Sequence, residues 1–202
     1  MAKIKYTKNE LKAQRDALKR FRRYLPTLLL KKQQLQLELR TLDQKLAAKR
    51  AEQRQFAEEL APWIRLFAEP YDVSVYLHVR EIKTVTGNIA GVNIPVLKEV
   101  VLEETVPDLH ATPSWIDDGI KAVARALRQR IEEQILAEQH RLIADELRTT
   151  SQRVNLFEKV KIPEARENIR AIRIFLGDVQ TSEVARAKIA KGKATTAVGG
   201  AV

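Results

Sequence analysis

Residues 11–63 read LKAQRDALKRFRRYLPTLLLKKQQLQLELRTLDQKLAAKRAEQRQFAEELAPW. Their apolar residues step by three and four: Leu11, Leu18, Phe21, Leu25, Leu28, Leu35, Leu39, Leu42, Leu46, Phe56, Leu60 and Trp63. Only Gln14, Lys32, Lys49 and Gln53 interrupt that spacing. A stripe this narrow, kept over more than seven heptads, is the seam of a coiled coil rather than the wide apolar face of a globular helix. Thr7 and Glu10 stand where a capping box would open the helix. At about 1.5 Å per residue the segment spans roughly 80 Å, far more than a compact domain of this chain length. Lys32 and Lys49, polar positions in the seam, are expected to fix register at some cost in stability.

A second helical pattern occupies the last third. Thr112-Pro113-Ser114 leads into Trp115-Ile116-Asp117, with Ser114 and Asp117 spaced for another capping box. Apolar residues recur through Ile120, Leu127, Ile131, Ile143, Leu147, Val154 and Phe157, with drifting phase. A clean seam then follows at Ile162, Ala165, Ile169, Ile172, Leu176 and Val179. Gly177 is a weak point for that helix, because glycine costs about 1 kcal/mol relative to alanine. The tail after Lys191 has no periodicity and is expected to be disordered.

Between the helices the period changes to two. Val73, Val75, Leu77 and Val79 alternate with Ser74, Tyr76, His78 and Arg80, and a second apolar run follows Gly91. This predicts a β-hairpin over roughly 73–86 and 92–104, with Pro95 on an edge or at a bulge because it cannot donate to a ladder. The fold class is therefore mainly α: a long antiparallel two-helix coiled-coil hairpin with a small β-hairpin at the fold-back. The expected segments are residues 1–68 for the first helix, 69–113 for the connecting segment, 114–190 for the second helix and 191–202 for the tail. Pro26 and Pro163 are expected at one height, bending both helices together, with the two chain ends meeting at the far tip.

Chemistry is sparse. The chain has no cysteine, which removes disulfides, thiolate metal sites and thiol nucleophiles and suits a reducing compartment. Gly87-Asn88-Ile89-Ala90-Gly91 lacks the lysine and following helix of a phosphate loop. His78, His110 and His140 have no second ligand at metal spacing. Glu103-Glu104 and Asp117-Asp118 are neighbours in sequence and point apart on a strand or helix. No catalytic residue, metal site or cofactor site is expected. No apolar run approaches the ~20 residues needed to span a bilayer, and the amino-terminal residues lack the apolar core of a signal peptide. A cytoplasmic protein without direct membrane insertion is expected.

Charge is more informative. The net charge is +10, from 36 Lys and Arg against 26 Asp and Glu, which points to an acidic partner. Lys3, Lys5, Lys8, Lys12, Arg15, Lys19, Arg20, Arg22 and Arg23 crowd the first helix against only Glu10 and Asp16. Arg166, Arg170, Arg173, Arg186, Lys188, Lys191 and Lys193 lie near the other end. Brought together, these segments make one strongly cationic tip. Aromatic interleaving for base stacking is thin there, with only Tyr6, Phe21 and Tyr24 nearby.

Several stretches carry a family resemblance. Ser151-Gln152-Arg153-Val154-Asn155-Leu156-Phe157-Glu158-Lys159-Val160-Lys161-Ile162-Pro163, with Glu167-Asn168-Ile169 and Arg173-Ile174-Phe175-Leu176-Gly177-Asp178, resembles the C-terminal helix of the D subunit of rotary V/A-type ATPases. Asn88-Ile89-Ala90-Gly91-Val92-Asn93-Ile94-Pro95-Val96 and Pro113-Ser114-Trp115-Ile116-Asp117 are similar to the same family. Leu25-Pro26-Thr27-Leu28, with Lys31 and Leu35, resembles its bacterial branch. Tyr24 and Leu29 replace the glycine and the first lysine of the commoner Gly-x-x-Leu-Leu-Lys-x-Lys pattern.

The resemblance implies a non-catalytic central-stalk rotor. It would pass torque between ATP hydrolysis or synthesis in a hexamer of catalytic and regulatory subunits and ion translocation in a membrane ring. Arg15, Lys19, Arg22, Arg23, Arg166, Arg170 and Arg173 would face the hexamer. Ile89, Val92, Ile94 and Val96, at the hairpin end, would meet the small F subunit of the central stalk and the subunit capping the membrane ring. The protein would then be cytoplasmic and membrane-associated through the complex, with no nucleic acid among its partners. Two other classes remain. A prefoldin-like chaperone subunit also sets β-hairpins between coiled-coil helices, but grips clients at apolar tips. A basic coiled coil that binds nucleic acid would lose affinity steeply with salt.

Overall fold

The computed structural model describes residues 4–108 and 110–199, with only the backbone described over 194–199. The elements are α1 (Lys8–Leu60), β1 (Leu77–Ile89), β2 (Val92–Glu104), α2 (Ile116–Asn155) and α3 (Ile162–Gly199). A π turn at Leu156–Lys161 joins α2 to α3 without a break. The chain divides into two compact units: Lys31–Thr150, and Met1–Leu30 with Ser151–Val202. In each unit a stretch of α1 packs antiparallel on the C-terminal helix, so the architecture is the mainly α, two-helix coiled coil with a β-hairpin that the residue spacing predicts.

All sixteen seam positions, fifteen on α1 and Trp63 just beyond it, are buried or half-buried, the four polar ones included. Apolar atoms removed from water along this stripe supply the driving force, about 25 cal/mol per Å². In the unit Lys31–Thr150, Leu35, Leu42, Leu46 and Phe56 of α1 are buried, as are Ile120, Ile131 and Ile143 of α2. Polar pairs fix the register: Asp43 with His140 at 2.9 Å, Arg50 with Glu133 at 3.0 Å and Arg125 with Glu59 at 3.2 Å. Lys49 reaches across to Glu132 at 2.8 Å, as a register-setting seam residue should. At the other polar seam position the cross-helix bond belongs to the neighbour: Lys31, not Lys32, pairs with Glu146.

The hairpin departs from expectation in three ways. Residues 73–75 form a 3₁₀ turn, because the Asp72 carboxylate accepts the Ser74 N–H at 2.9 Å and turns the backbone before β1 can start. β1 instead continues to Ile89, so Gly87 and Asn88 pair with Ile94 and Asn93, and the loop is only Ala90-Gly91. Both loop residues have positive φ, 50° and 80°, the signature of the tight hairpin turn whose twist matches the strands. The Asn88 side chain accepts the Gly91 N–H at 3.0 Å and supports Ala90 in a conformation that costs a non-glycine residue energy. Finally, the hairpin lies back along the helices. Ile94 joins Leu35, Leu42 and Ile143 in one core, with Ile89, Val92, Leu39 and Leu147 around it. Pro95 pairs with Thr86 on a two-stranded sheet whose strands are both edges, and its carbonyl accepts the Gln139 amide.

Helix ends also differ from the expected segments. α1 stops at Leu60, short of residue 68, because Pro62 has no N–H and disfavours helical backbone at Ala61. Residues 64–68 form a 3₁₀ turn in which Trp63 stacks on Phe67, and Phe67 meets Trp115 edge-on. The Thr7 hydroxyl accepts the Glu10 N–H at 3.2 Å, one half of the expected capping box, while Glu10 turns to Gln14. Before α2, Asp108 organises the entry: its carboxylate accepts the His110 N–H and its carbonyl accepts the N–H groups of Ala111 and Thr112. No bond between Ser114 and Asp117 occurs among the described residues.

In the other unit, Phe21 packs on Phe157 with centroids 5.2 Å apart, and Tyr6 on Phe175 at 5.0 Å. The Asn168 amide reaches Gln14 at 3.5 Å. This register sets Pro163 opposite the stretch between Gln14 and Phe21, so the two prolines do not share a height. Pro26 sits inside α1 without ending it. Nor do the helix ends coincide: α3 runs past the start of α1, and every described side chain from Gln180 to Lys193 is exposed. The backbone is helical to Gly199, where disorder was expected from residue 191. Alanine is the best helix former, and the alanines at 185, 187, 190, 194 and 197 explain why the helix persists; residues 200–202 lie outside the described ones.

The seam predicts a sharp contrast between neighbours on α1. Leu35 has no exposed surface and Leu37 is 64% exposed. Leu35→Ala should destabilise the chain by about 2–5 kcal/mol through lost burial and a residual cavity. Leu37→Ala should stay within about 0.5 kcal/mol of the parent. Urea unfolding followed by circular dichroism measures both; equal effects would show that the stripe is not the core.

Candidate functional site

The unit Met1–Leu30 with Ser151–Val202 carries a groove of about 440 Å³ between α1 and α3. Arg15, Lys19 and Arg22 line one wall, Arg166 and Arg173 the other, and Leu18 and Ile169 form the floor. The spacing explains the arrangement. Arg15, Lys19 and Arg22 recur at i, i+4 and i+7 and so share a face beside the seam. Arg166 and Arg173 flank the buried residues Ala165, Ile169 and Ile172 in the same way. Five of the seven expected cations therefore converge. Arg23 and Arg170 are exposed outside the groove, Arg170 with Glu167 at 3.9 Å. Among the described residues, none of the five lining cations forms an ion pair with a carboxylate.

Such a surface can take a partner that carries negative charge. Each exposed pair would contribute only about 0–1 kcal/mol, so the attraction is collective and salt-sensitive. Among the described residues no group of acidic or histidine side chains is arranged to hold a metal ion.

The hairpin residues are placed differently. Ile94 is 3% exposed, and Ile89 and Val92 pack beside it, so these three side chains are largely committed to the chain's own core. Ile89 and Ile94 also form part of the wall of a second groove of about 410 Å³ between hairpin and helices, which Val96, 40% exposed, lines with Leu97, Thr41 and Gln139. Gly87 is required under Val96: a Cβ there would meet Val96 Cγ2 at 2.8 Å. Three of the four expected hairpin residues thus meet at this groove, while its helix wall was not read from the sequence, because alternation in a strand does not say which face the helices cover. Sequence reading also missed an apolar surface in the segments flanking the hairpin, where Ile64 and Val75 are more than half exposed and Val106 is 88% exposed. Ile64 and Val106 lie outside any periodic run, and Val75 had been read into the strand.

Glu133 stands out in the unit Lys31–Thr150. It is nearly buried yet ionised, held by Arg50 Nε at 3.0 Å, Gln53 Nε2 at 3.3 Å and Arg130 at 2.9 Å. The Arg50 bond, then those of Gln53 and Arg130, hold its carboxyl below the usual glutamate value against the cost of burial. A carboxyl depressed in this way contributes stability that is complete above the ordinary value near 4.3 and is lost as pH falls through its lower folded value. It serves α1–α2 register rather than chemistry. Glu133→Gln should cost about 1 kcal/mol at pH 7, the arginines being partly in water. The gap between variant and parent should close as pH drops below 4. Thermal melts from pH 7 to pH 3 check this; a gap that persists unchanged at pH 3 would contradict the assignment.

Comparison with known proteins adds the family. The model of the ATP synthase D subunit family matches residues 10–192. The chain is 47% identical over 191 residues to the V-type ATP synthase D subunit of Borreliella burgdorferi, covering 95% of each chain. It is 35% identical over 199 residues to the V-type ATP synthase D subunit of Chlamydia abortus, covering 95% of this chain and 94% of that one. The corresponding Chlamydia muridarum protein is 36% identical over 195 residues, with 95% and 96% covered.

Proposed function

Since the chain belongs to the ATP synthase D subunit family, we propose that it is the central rotor shaft of a bacterial V-type ATPase. It passes torque between the catalytic hexamer and the ion-translocating membrane ring and performs no chemistry itself. The observation that carries this reading is the pairing, in each unit, of α1 with the C-terminal helix along an apolar seam. Two helices locked by one seam twist less readily than one. The family match leaves no weight on a prefoldin-like chaperone or a nucleic-acid-binding coiled coil. No helix among the described residues is long and apolar enough to cross a membrane, which fits attachment to the ring through other subunits.

In this reading the cationic groove lies against acidic or polar loops of the catalytic and regulatory subunits. A rotor has to be centred in its bearing without being fastened to it. Apolar side chains keyed into pockets would meet water at every step and resist turning. Flexible Lys and Arg side chains exchange carboxylate partners at little cost, because each exposed pair is weak. The small central-stalk partner and the ring cap dock on the groove beside Val96 and on the exposed Ile64, Val75 and Val106. These residues supply apolar area that the chain leaves uncovered, and Ile89 and Ile94 both wall that groove and, with Val92, hold the hairpin in place.

The isolated chain should show no ATP hydrolysis. The sharper test is a fourfold charge reversal, Arg22, Arg23, Arg170 and Arg173 to Glu. All four side chains are exposed and outside the seam, so circular dichroism should report the parent helix content. Reconstitution with the hexamer should weaken at low salt, and added salt should strengthen it where it weakens the parent. Single alanine changes at these positions should be nearly silent. A reversed variant that is fully helical and assembles like the parent at both salt concentrations would remove the electrostatic bearing from the proposal.

A further inference from the structure

We propose that Pro163 is a positioning residue: it pins the π turn at Leu156–Lys161, and that turn sets the direction in which α3 presents Arg166 and Arg173. The spacing of covered positions on this continuous helix carries the argument. Leu147, Thr150, Val154 and Phe157 are buried or half-buried at steps of three, four and three. Ile162, Ala165, Ile169, Ile172, Leu176 and Val179 resume steps of three and four. Between Phe157 and Ile162 the step is five. The chain therefore holds one residue more than its heptads need.

An uninterrupted α-helix would turn that surplus into a rotation of about 100°, the angle of one residue. The seam would then fall on Lys161, Glu164, Asn168 and Ala171, three of them polar. The π turn absorbs the extra residue instead. The Ile162 N–H bonds to the carbonyl of Phe157, five residues back, and the apolar face returns to α1.

A surplus residue can be absorbed at any point along a helix, so something has to choose the place. Proline lacks the N–H that would bond to the carbonyl four residues earlier, and its ring clashes with that carbonyl. At Pro163 the carbonyl is that of Lys159, inside the π turn. A regular α turn is therefore penalised just there, and the irregular turn costs least there. A π turn placed two turns later would swing Ile162 and Ala165 out of the interface, bring in Lys161 and Glu164, and rotate Arg166 away from Arg15, Lys19 and Arg22. The groove exists because the surplus is absorbed before Arg166. Its meaning for assembly rests on the shaft reading above; the positioning itself does not.

The absence of cysteine makes the test clean. Spin labels at Lys19→Cys and Arg166→Cys, on opposite walls of the groove, report their separation in the isolated chain by pulsed dipolar spectroscopy. The parent should give one narrow distance. Pro163→Ala should keep the helix content and add a second, displaced population, because the π turn is no longer held. Deleting Val160 in the Pro163→Ala background removes the surplus residue and should restore a single narrow distance, with a higher melting temperature than either. A single distance in Pro163→Ala, or a second population that survives the deletion, would overturn the proposal. Both outcomes are read without the hexamer, so they are independent of whether the chain is a rotor.

Discussion

The fold depends on one apolar stripe, met by its counterpart on the returning helix. Within each unit the other features are arranged around this stripe. Within the unit Lys31–Thr150 it joins Leu35 and Leu42 to Ile143 and takes in Ile94 from the hairpin. Within the other unit it brings Phe21 against Phe157. Cross-helix ion pairs such as Arg50 with Glu133 add register more than energy, since most of their partners are in water. Length is the cost of this design: a two-helix core covers each residue on one side only, so many side chains remain exposed and must be polar or find a partner.

That constraint explains why cations and apolar side chains alike stay exposed, Ile174, Phe175, Val184 and Ile189 in the cationic unit among them. The groove of Arg15, Lys19, Arg22, Arg166 and Arg173 belongs to one unit. The hairpin groove and the exposed Ile64, Val75 and Val106 belong to the other. The proposed rotor shaft would act through such surfaces. In that reading charge would serve a contact that has to be made and broken, and apolar area one that has to hold.

Much of this was legible in the sequence. The stripe on α1 was readable position by position, because steps of three and four leave no other periodicity to compete. The final seam from Ile162 to Val179 was readable for the same reason. Five of the seven cations fell into one groove because their spacing fixed them to faces flanking those seams. The failures have local causes. An aspartate that caps a turn removed Val73 and Val75 from the strand. The hairpin's covered face depends on where α2 lies, which no strand pattern reports. The drift of phase before Ile162 looked like gradual change of face in a straight helix, yet it was a single residue absorbed by a π turn. One extra residue leaves almost no mark on composition, and only the burial of both flanking segments reveals it.

The central claim is that this chain turns inside a hexamer. With no native cysteine, Lys98→Cys on the exposed part of β2 can carry a single bead while the reconstituted hexamer is fixed to a surface. On addition of ATP the bead should rotate continuously in one direction, and stop when ATP is withdrawn. A bead that only fluctuates about a fixed angle while the hexamer hydrolyses ATP at its full rate would contradict the account.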